Sequence, residues 1–238
     1  MKAVLQVTGI GGGYDNVQIL NGIDLYVNQG EFVTIIGPNG CGKSTFLKAL
    51  FGLATLSNGR VLHDDVEVSG WRTDKLVARG IGYVPQVDNV FPSLSVRENL
   101  QMGAIKLSGR EFSSGINKAM EMFPDLESRM NDLAASLSGG ERQMLAISRA
   151  LISRPKFLML DEPTAALSPK YQQDILANID DLRKEGISVL LVEQNARLSL
   201  SKSDRGYIFA AGRVVYTGTA KEILNNPNIG DYFLGLQQ

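Results

Sequence analysis

The chain has 238 residues, with 24 Lys and Arg against 25 Asp and Glu for a net charge of −1. That length allows one large domain or two small ones with a sizeable core, and the charge balance leaves no basic excess for a broad nucleic-acid surface. Cys41 is the only cysteine, which excludes an internal disulfide and fits a reducing compartment, the cytoplasm by default.

The opening MKAVLQVTG has no apolar h-region or small-residue cleavage site, so no secretory signal is expected. No apolar run approaches the roughly 18 residues needed to span a bilayer, so any span must come from another chain. Val4 to Val7 and Ile19 to Val27 read as alternating strands, and Phe32 to Ile36 as a buried strand. A helical pattern runs from Lys43 to about Phe51, followed by a hairpin over Arg60 to Val68 and a strand at Ile81 to Val84. Between Ser95 and Ala135 helix formers, methionines and charges dominate, which reads as a helical insert.

After Gly140, Met144, Ile147 and Leu151 keep one helical face until Pro155 stops the helix. Phe157 to Leu160 reads as a strand, Tyr171 to Lys184 as a helix, Ser188 to Val192 as the last core strand, and Tyr207–Ala210 with Val214–Thr217 as a final pair. The alternation of strand and helix predicts an α/β fold with a parallel core and the early strands as an antiparallel addition.

GPNGCGKST, Gly37 to Thr45, satisfies G-x-x-x-x-G-K-[ST] through Gly37, Gly42, Lys43 and Ser44, between a predicted strand and a predicted helix. Such a loop turns backbone N–H groups and a helix amino terminus toward phosphate; Lys43 adds a cation and Ser44 a ligand for Mg²⁺. Cys41 is a small filler or a thiol activated by the helix terminus. FLMLDE, Phe157 to Glu162, puts two carboxylates at a strand's carboxyl edge, where Asp161 can hold Mg²⁺ through its water shell and Glu162 can orient or deprotonate an attacking water. LSGGERQ, Leu137 to Gln143, opens a second helix with a serine and two glycines. One triphosphate needs one cradle, so this start is an ordinary cap or acts on nucleotide held by another subunit.

These segments, with YVPQ at Tyr83 to Gln86 and the aromatic Tyr14, resemble ATP-binding-cassette ATPases in order and spacing over essentially the whole chain. The resemblance implies a P-loop NTPase (RecA-like) core, residues 1–86 and 137–238, that includes an antiparallel β subdomain, with an inserted helical subdomain at 87–136, all in one domain over 1–238. It implies ATP and Mg²⁺ as cofactors and a head-to-tail dimer in which Ser138, Gly139 and Gly140 close over ATP held by the partner's loop of Gly37, Pro38, Asn39, Gly40, Cys41, Gly42, Lys43, Ser44 and Thr45. It further implies that Tyr14 stacks on adenine, where the alternative is a packed core tyrosine, and that Gln86 touches Mg²⁺ with Ser44 and Asp161. The glycines of GIGGGY are a decoy, because the third glycine of a dinucleotide fingerprint would fall on Tyr14.

NVFPSLSVRENL from Asn89, LLVEQN from Leu190, DRGY from Asp204 and YFLG from Tyr232 resemble the ATPase subunits of branched-chain amino-acid importers, a pattern shared with urea and amide importers. That implies a peripheral ATPase on the cytoplasmic face of the inner membrane, a second ATPase subunit, two membrane permease subunits and an external solute-binding protein, with no nucleic-acid partner. Val90, Phe91 and Pro92 become candidate permease contacts, although Phe91 could equally be core. Soluble cassette switches and P-loop GTPases fit less well: the chain carries one cassette without long basic insertions, and has LSGGE but no N-K-x-D.

Two positions depart from the general cassette pattern. Gln194 stands where most members have a histidine that contacts the γ-phosphate, and Ser168 where an aspartate usually crosses the dimer interface. A glutamine amide can donate to phosphate but cannot titrate near neutral pH, so Gln194 joins Lys43 and Glu162 as a catalytic candidate in a positioning role. The single histidine, His63, lies far upstream in the hairpin region, cannot be the motif residue, and reads as a surface or hairpin residue and not a catalytic one.

Overall fold

The computed structural model describes residues 2–15, 17–105 and 107–233. β1 (Ala3–Tyr14) and β2 (Val17–Asn28) are long antiparallel partners, and β3 (Phe32–Ile36) leads through the phosphate loop into α1 (Lys43–Leu50). β4 (Thr55–His63) returns beside β1 and turns into β5 (Val66–Glu67) through Asp64 and Asp65, both at positive φ, as a two-residue hairpin requires. α2 (Thr73–Ala78) and β6 (Ile81–Val84) precede a helical stretch of α3 (Val96–Met102), α4 (Gly109–Met122) and two 3-10 turns at Pro124–Arg129 and Ala134–Ser136. α5 (Gly139–Ile152), β7 (Phe157–Asp161), α6 (Pro169–Lys184), β8 (Ser188–Val192), α7 (Ala196–Leu200), β9 (Arg205–Ala210), β10 (Arg213–Thr219), α8 (Ala220–Leu224) and α9 (Ile229–Phe233) complete the order. Leu234 and Gly235, the end of the YFLG stretch, lie outside the described residues.

Two sheets result. One is antiparallel in the order β2-β1-β4-β5; the other has six strands in the order β10-β9-β3-β8-β7-β6. In the second sheet β6, β7, β8, β3 and β9 run parallel and β10 is antiparallel to β9. β8 is therefore not the last core strand: Tyr207 pairs with Ile35 across a fifth parallel neighbour, and the expected final pair belongs to the central sheet.

β3, β7 and β8 are buried at every position, the continuous apolar pattern of strands covered on both faces. Phe157, Met159, Leu190 and Val192 pack toward α1 and the antiparallel sheet, with Phe46 and Leu47. Leu158, Leu160, Val189 and Leu191 face the other way, onto α5 and α6 through Leu145, Ile147, Ile175 and Ile179. Each such side chain is worth about 1.5–3 kcal/mol when fully buried, so the sheet whose strand ends carry the site is anchored from both faces.

His63 overturns the surface expectation. It lies in the hairpin, but its side chain is 0% exposed, with Nδ1 3.0 Å from the Val4 carbonyl and its ring 6.1 Å from that of Phe157. Burial pulls its pKa below the ordinary 6.5, outweighing the attraction of Asp64. The folded chain then binds fewer protons than the unfolded one below about pH 6.5, so stability present above that value declines as pH falls toward the depressed folded value. Thermal unfolding between pH 5 and 8 should show this decline, and His63→Leu should flatten it in the upper part of that range, because no other histidine is present. An unchanged slope in the variant would assign the effect elsewhere.

Candidate functional site

β3 ends at Ile36 and the chain curls around Gly37 to Gly42 before α1 begins. Gly42 caps the helix at φ 105°, a left-handed conformation that favours glycine, and no side chain caps the first N–H groups of α1. Those donors are left for an anion. The Lys43 side chain folds back so that Nζ donates to the carbonyls of Gly37 at 2.8 Å and Pro38 at 3.1 Å, closing the loop on a buried cation. Asn39, Gly40, Gly42, Lys43, Ser44 and Thr45 line a cleft of about 420 Å³. Cys41 is buried beneath the loop, and burial pushes its thiol above the usual range, which makes it the filler of the two readings.

Across the cleft stand the strand ends. Ser44 Oγ donates to Asp161 Oδ1 at 2.8 Å, and the Tyr83 hydroxyl lies 3.3 Å from Asp161 Oδ2. Burial raises the Asp161 carboxyl above its usual range against both of those contacts; a divalent cation would restore the charged form. Glu162 follows at φ 47°, an uncommon backbone for a non-glycine residue and a form of strain that concentrates at functional sites. Its N–H is tied to the Val192 carbonyl at 2.9 Å. One oxygen of its carboxylate, Oε2, accepts from Gln86 Nε2 at 2.8 Å and from Gln194 Nε2 at 2.5 Å. Gln86, Glu162 and Gln194 thus face Lys43 and Ser44 across one cleft, with Ile19 of β2 as an apolar wall that the sequence did not flag.

The donor set fits Mg²⁺. It consists of a hydroxyl, a carboxylate and an amide carbonyl, hard oxygen ligands of the kind that hold Mg²⁺ through few protein groups plus substrate phosphates. No cluster of three or more His, Cys, Asp or Glu suited to a metal is present among the described residues.

Residues 20–165 match the family model described as ABC transporter. The chain belongs to the ABC transporter ATP-binding family. It is 40% identical to the probable branched-chain amino acid transport ATP-binding protein LivF of Archaeoglobus fulgidus, over 98% of this chain and 99% of that protein. Identity to the lipopolysaccharide export system ATP-binding protein LptB of Escherichia coli strain K12 is 35%, over 98% of each. A solved ATP-binding cassette of an ABC transporter, in its ADP conformation, superposes with a TM-score of 0.88 at 26% identity, covering 99% of this chain and 100% of that one.

As an ABC ATPase, the chain is a nucleotide-binding ATP hydrolase with a P-loop NTPase fold, of a class that dimerises and works with membrane permeases. No helix among the described residues is long and apolar enough to cross a membrane. Ser138 caps α5 and Gly139 and Gly140 begin it, and none of the three lines the chain's own cleft. Ser138 N donates to Glu141 Oε2 at 2.7 Å and Glu141 N to Ser138 Oγ at 3.3 Å, so the serine is a true cap, while Ser138 and Gly139 remain exposed. The cap reading of LSGGE thus holds, and the capping box leaves Ser138 and Gly139 accessible at the helix start. Ser168 caps α6 without a side-chain bond and is exposed.

Tyr14 ends β1 with 38% of its surface exposed and is not a packed core tyrosine, although it does not itself line the cleft. Phe91 is 43% exposed, and the Arg149 guanidinium lies over its ring at 5.0 Å. Together with Phe51, Tyr83 and Met102 these two bound a groove of about 300 Å³. Val90 packs against the core and Pro92 is exposed beside it.

Proposed function

We propose that this ABC ATPase is the ATP-binding subunit of an importer for branched-chain or other amino acids, hydrolysing Mg-ATP at the interface of a head-to-tail dimer. The observation that carries the hydrolytic part is the convergence of the Gln86 and Gln194 amides on one oxygen of Glu162, opposite Lys43 and Ser44. The solute class rests on the identity to LivF.

Mg²⁺ held by Ser44, Asp161 and Gln86 would neutralise charge building on the transferred phosphoryl oxygens. Lys43 and the unpaired N–H groups of the Gly37–Thr45 loop, Pro38 having none, would hold the phosphates in line. Glu162, its Oε2 occupied by two donors, presents Oε1 to take the proton of the attacking water. Gln194 has two hydrogens on Nε2 and spends one on Glu162, leaving the other for the γ-phosphate. Tyr14 supplies an accessible ring for adenine, and the partner's Ser138–Gly140 segment covers the triphosphate. Phe91 lines the groove that would receive the permease, with Val90 and Pro92 next to it in the chain, and the subunit would then sit on the cytoplasmic face of the inner membrane, beneath two permeases fed by a solute-binding protein.

Because Gln86 also holds Glu162, Gln194→Ala should lower turnover only about tenfold, the lower end of a charge-assisted hydrogen bond. Hydrolysis and ATP titrations on the variant check this; unchanged turnover would remove Gln194 from the site. Without a titrating histidine, this site is expected to be the slower one of a heterodimer with a different ATPase subunit. Single-turnover rates with the base removed on one subunit at a time measure the asymmetry, and equal residual rates would reject it.

The functional reading is tested by purifying the chain from membranes with its permeases and measuring hydrolysis as solute-binding protein is added. Stimulation by leucine, isoleucine or valine is expected. Stimulation by urea or short amides alone, recovery with lipopolysaccharide-export permeases, or recovery with ribosomes would overturn it.

A further inference from the structure

β8 is followed directly by an acid that the hydrolytic scheme does not use. Glu193 is 3% exposed, and every bond made to its carboxylate comes from a neutral group: Oε1 accepts from Thr164 N at 3.0 Å and Thr164 Oγ1 at 2.7 Å, and Oε2 from Gln194 N at 3.1 Å. Its own N–H is fixed on the Ile35 carbonyl of β3 at 3.1 Å. A carboxylate buried without a cation is costly, and here burial and the charge of Glu162 both push its carboxyl above the usual range. Packing alone would be served better by a neutral side chain.

The three bonds lie where the catalytic chain segments leave the sheet. Thr164 is two residues beyond Glu162, whose backbone is left-handed, and Gln194 directly follows Glu193 beyond the end of β8. One carboxylate therefore fixes both the segment that carries Glu162 and the segment that carries Gln194, and these two side chains meet at 2.5 Å. We infer that Glu193 is a positioning residue for ATP hydrolysis, clamping Thr164 to Gln194 so that Glu162 is held at the angle from which it meets water. This rests on the reading of Glu162 as general base.

The test uses the full chain in its assembled complex; if the partner ATPase is a different chain, that partner's base is replaced by glutamine. Glu193→Gln keeps the shape but sets an NH₂ against one of the three donors, and Thr164→Val removes only the hydroxyl bond. Displacing a catalytic group by an ångström can cost as much as 10²-fold, so kcat should fall about tenfold in Glu193→Gln and about threefold in Thr164→Val. The KM for ATP should stay within about twofold, as for an interaction realised in the transition state. In a Glu162→Gln background, adding either change should lower the residual rate by less than about twofold, because the clamp acts through the residue already removed. An unchanged kcat, a raised KM at constant kcat, or a full additional loss in the Glu162→Gln background would overturn the inference. If Glu193→Gln does not fold, Thr164→Val decides by the same criteria. Failure of Glu162→Gln itself to slow hydrolysis would instead reject the base assignment on which the inference stands.

Discussion

Glu162→Gln is expected to slow Mg-ATP hydrolysis by roughly 10²- to 10⁴-fold, the usual worth of a general base, while ATP stays bound. The substitution is nearly isosteric, and a glutamine carbonyl can still accept from Gln86 and Gln194, the two donors now found on Oε2 at 2.8 and 2.5 Å. What disappears is basicity. The loss should fall on kcat with the KM for ATP unchanged, the signature of an interaction made only in the transition state. Steady-state phosphate release and equilibrium ATP binding on the assembled complex measure both quantities. A variant that hydrolyses at the wild-type rate would show that water is activated elsewhere.

Lys43→Ala should fail earlier, at binding. Nζ is a buried cation seated on the Gly37 and Pro38 carbonyls, so its removal takes away a charge facing the phosphates and leaves two loop acceptors without their donor. A charge-assisted hydrogen bond is worth about 1.5–3 kcal/mol, which converts to roughly 10- to 100-fold in nucleotide affinity. A further loss of about 10²- to 10³-fold in turnover is expected from removing a preorganised electrostatic contact. Calorimetric titration with ATP and ADP, paired with hydrolysis rates, separates the two effects. Wild-type affinity in the variant would mean that the lysine serves only the loop's own conformation.

The central strands were legible because their physics is local. Phe32–Ile36, Ile81–Val84 and Ser188–Val192 are apolar runs bounded by breakers, and the structure has strands over those same residues. The sequence pattern shows β1 only as far as Val7, yet the strand runs to Tyr14, because the glycines that look like breakers let neighbouring strands come close: a Cβ on Gly12 would lie 2.1 Å from the Thr55 carbonyl oxygen. Four short helices, α2, α7, α8 and α9, leave no periodic signal in the sequence, since five or six residues are too few to display a 3.6-residue period. Their caps could have revealed two of them: Asn195 caps α7, and Thr219 with Glu222 forms a capping box at α8.

The cleft shows the same division. Residues contiguous in a motif, such as Lys43 with Ser44 or Asp161 with Glu162, could be grouped from sequence. Contacts between separate strand ends could not. The bonds from Gln86 and Gln194 to Glu162, the Tyr83 hydroxyl beside Asp161 and the Glu193 clamp on Thr164 all depend on the order β3-β8-β7-β6 in the sheet. His63 misled for a related reason, because its burial is set by two sheets packing together and not by its neighbours in the chain.

The most direct measurement of the whole account is solute uptake into sealed vesicles carrying the chain with its permeases, with Mg-ATP on the ATPase side and loaded binding protein on the other. Accumulation of a branched-chain amino acid that requires ATP and is abolished by Glu162→Gln, despite retained ATP binding, is the predicted result. Uptake that persists in Glu162→Gln, or ATP hydrolysis that proceeds indifferent to every amino acid supplied, would contradict it.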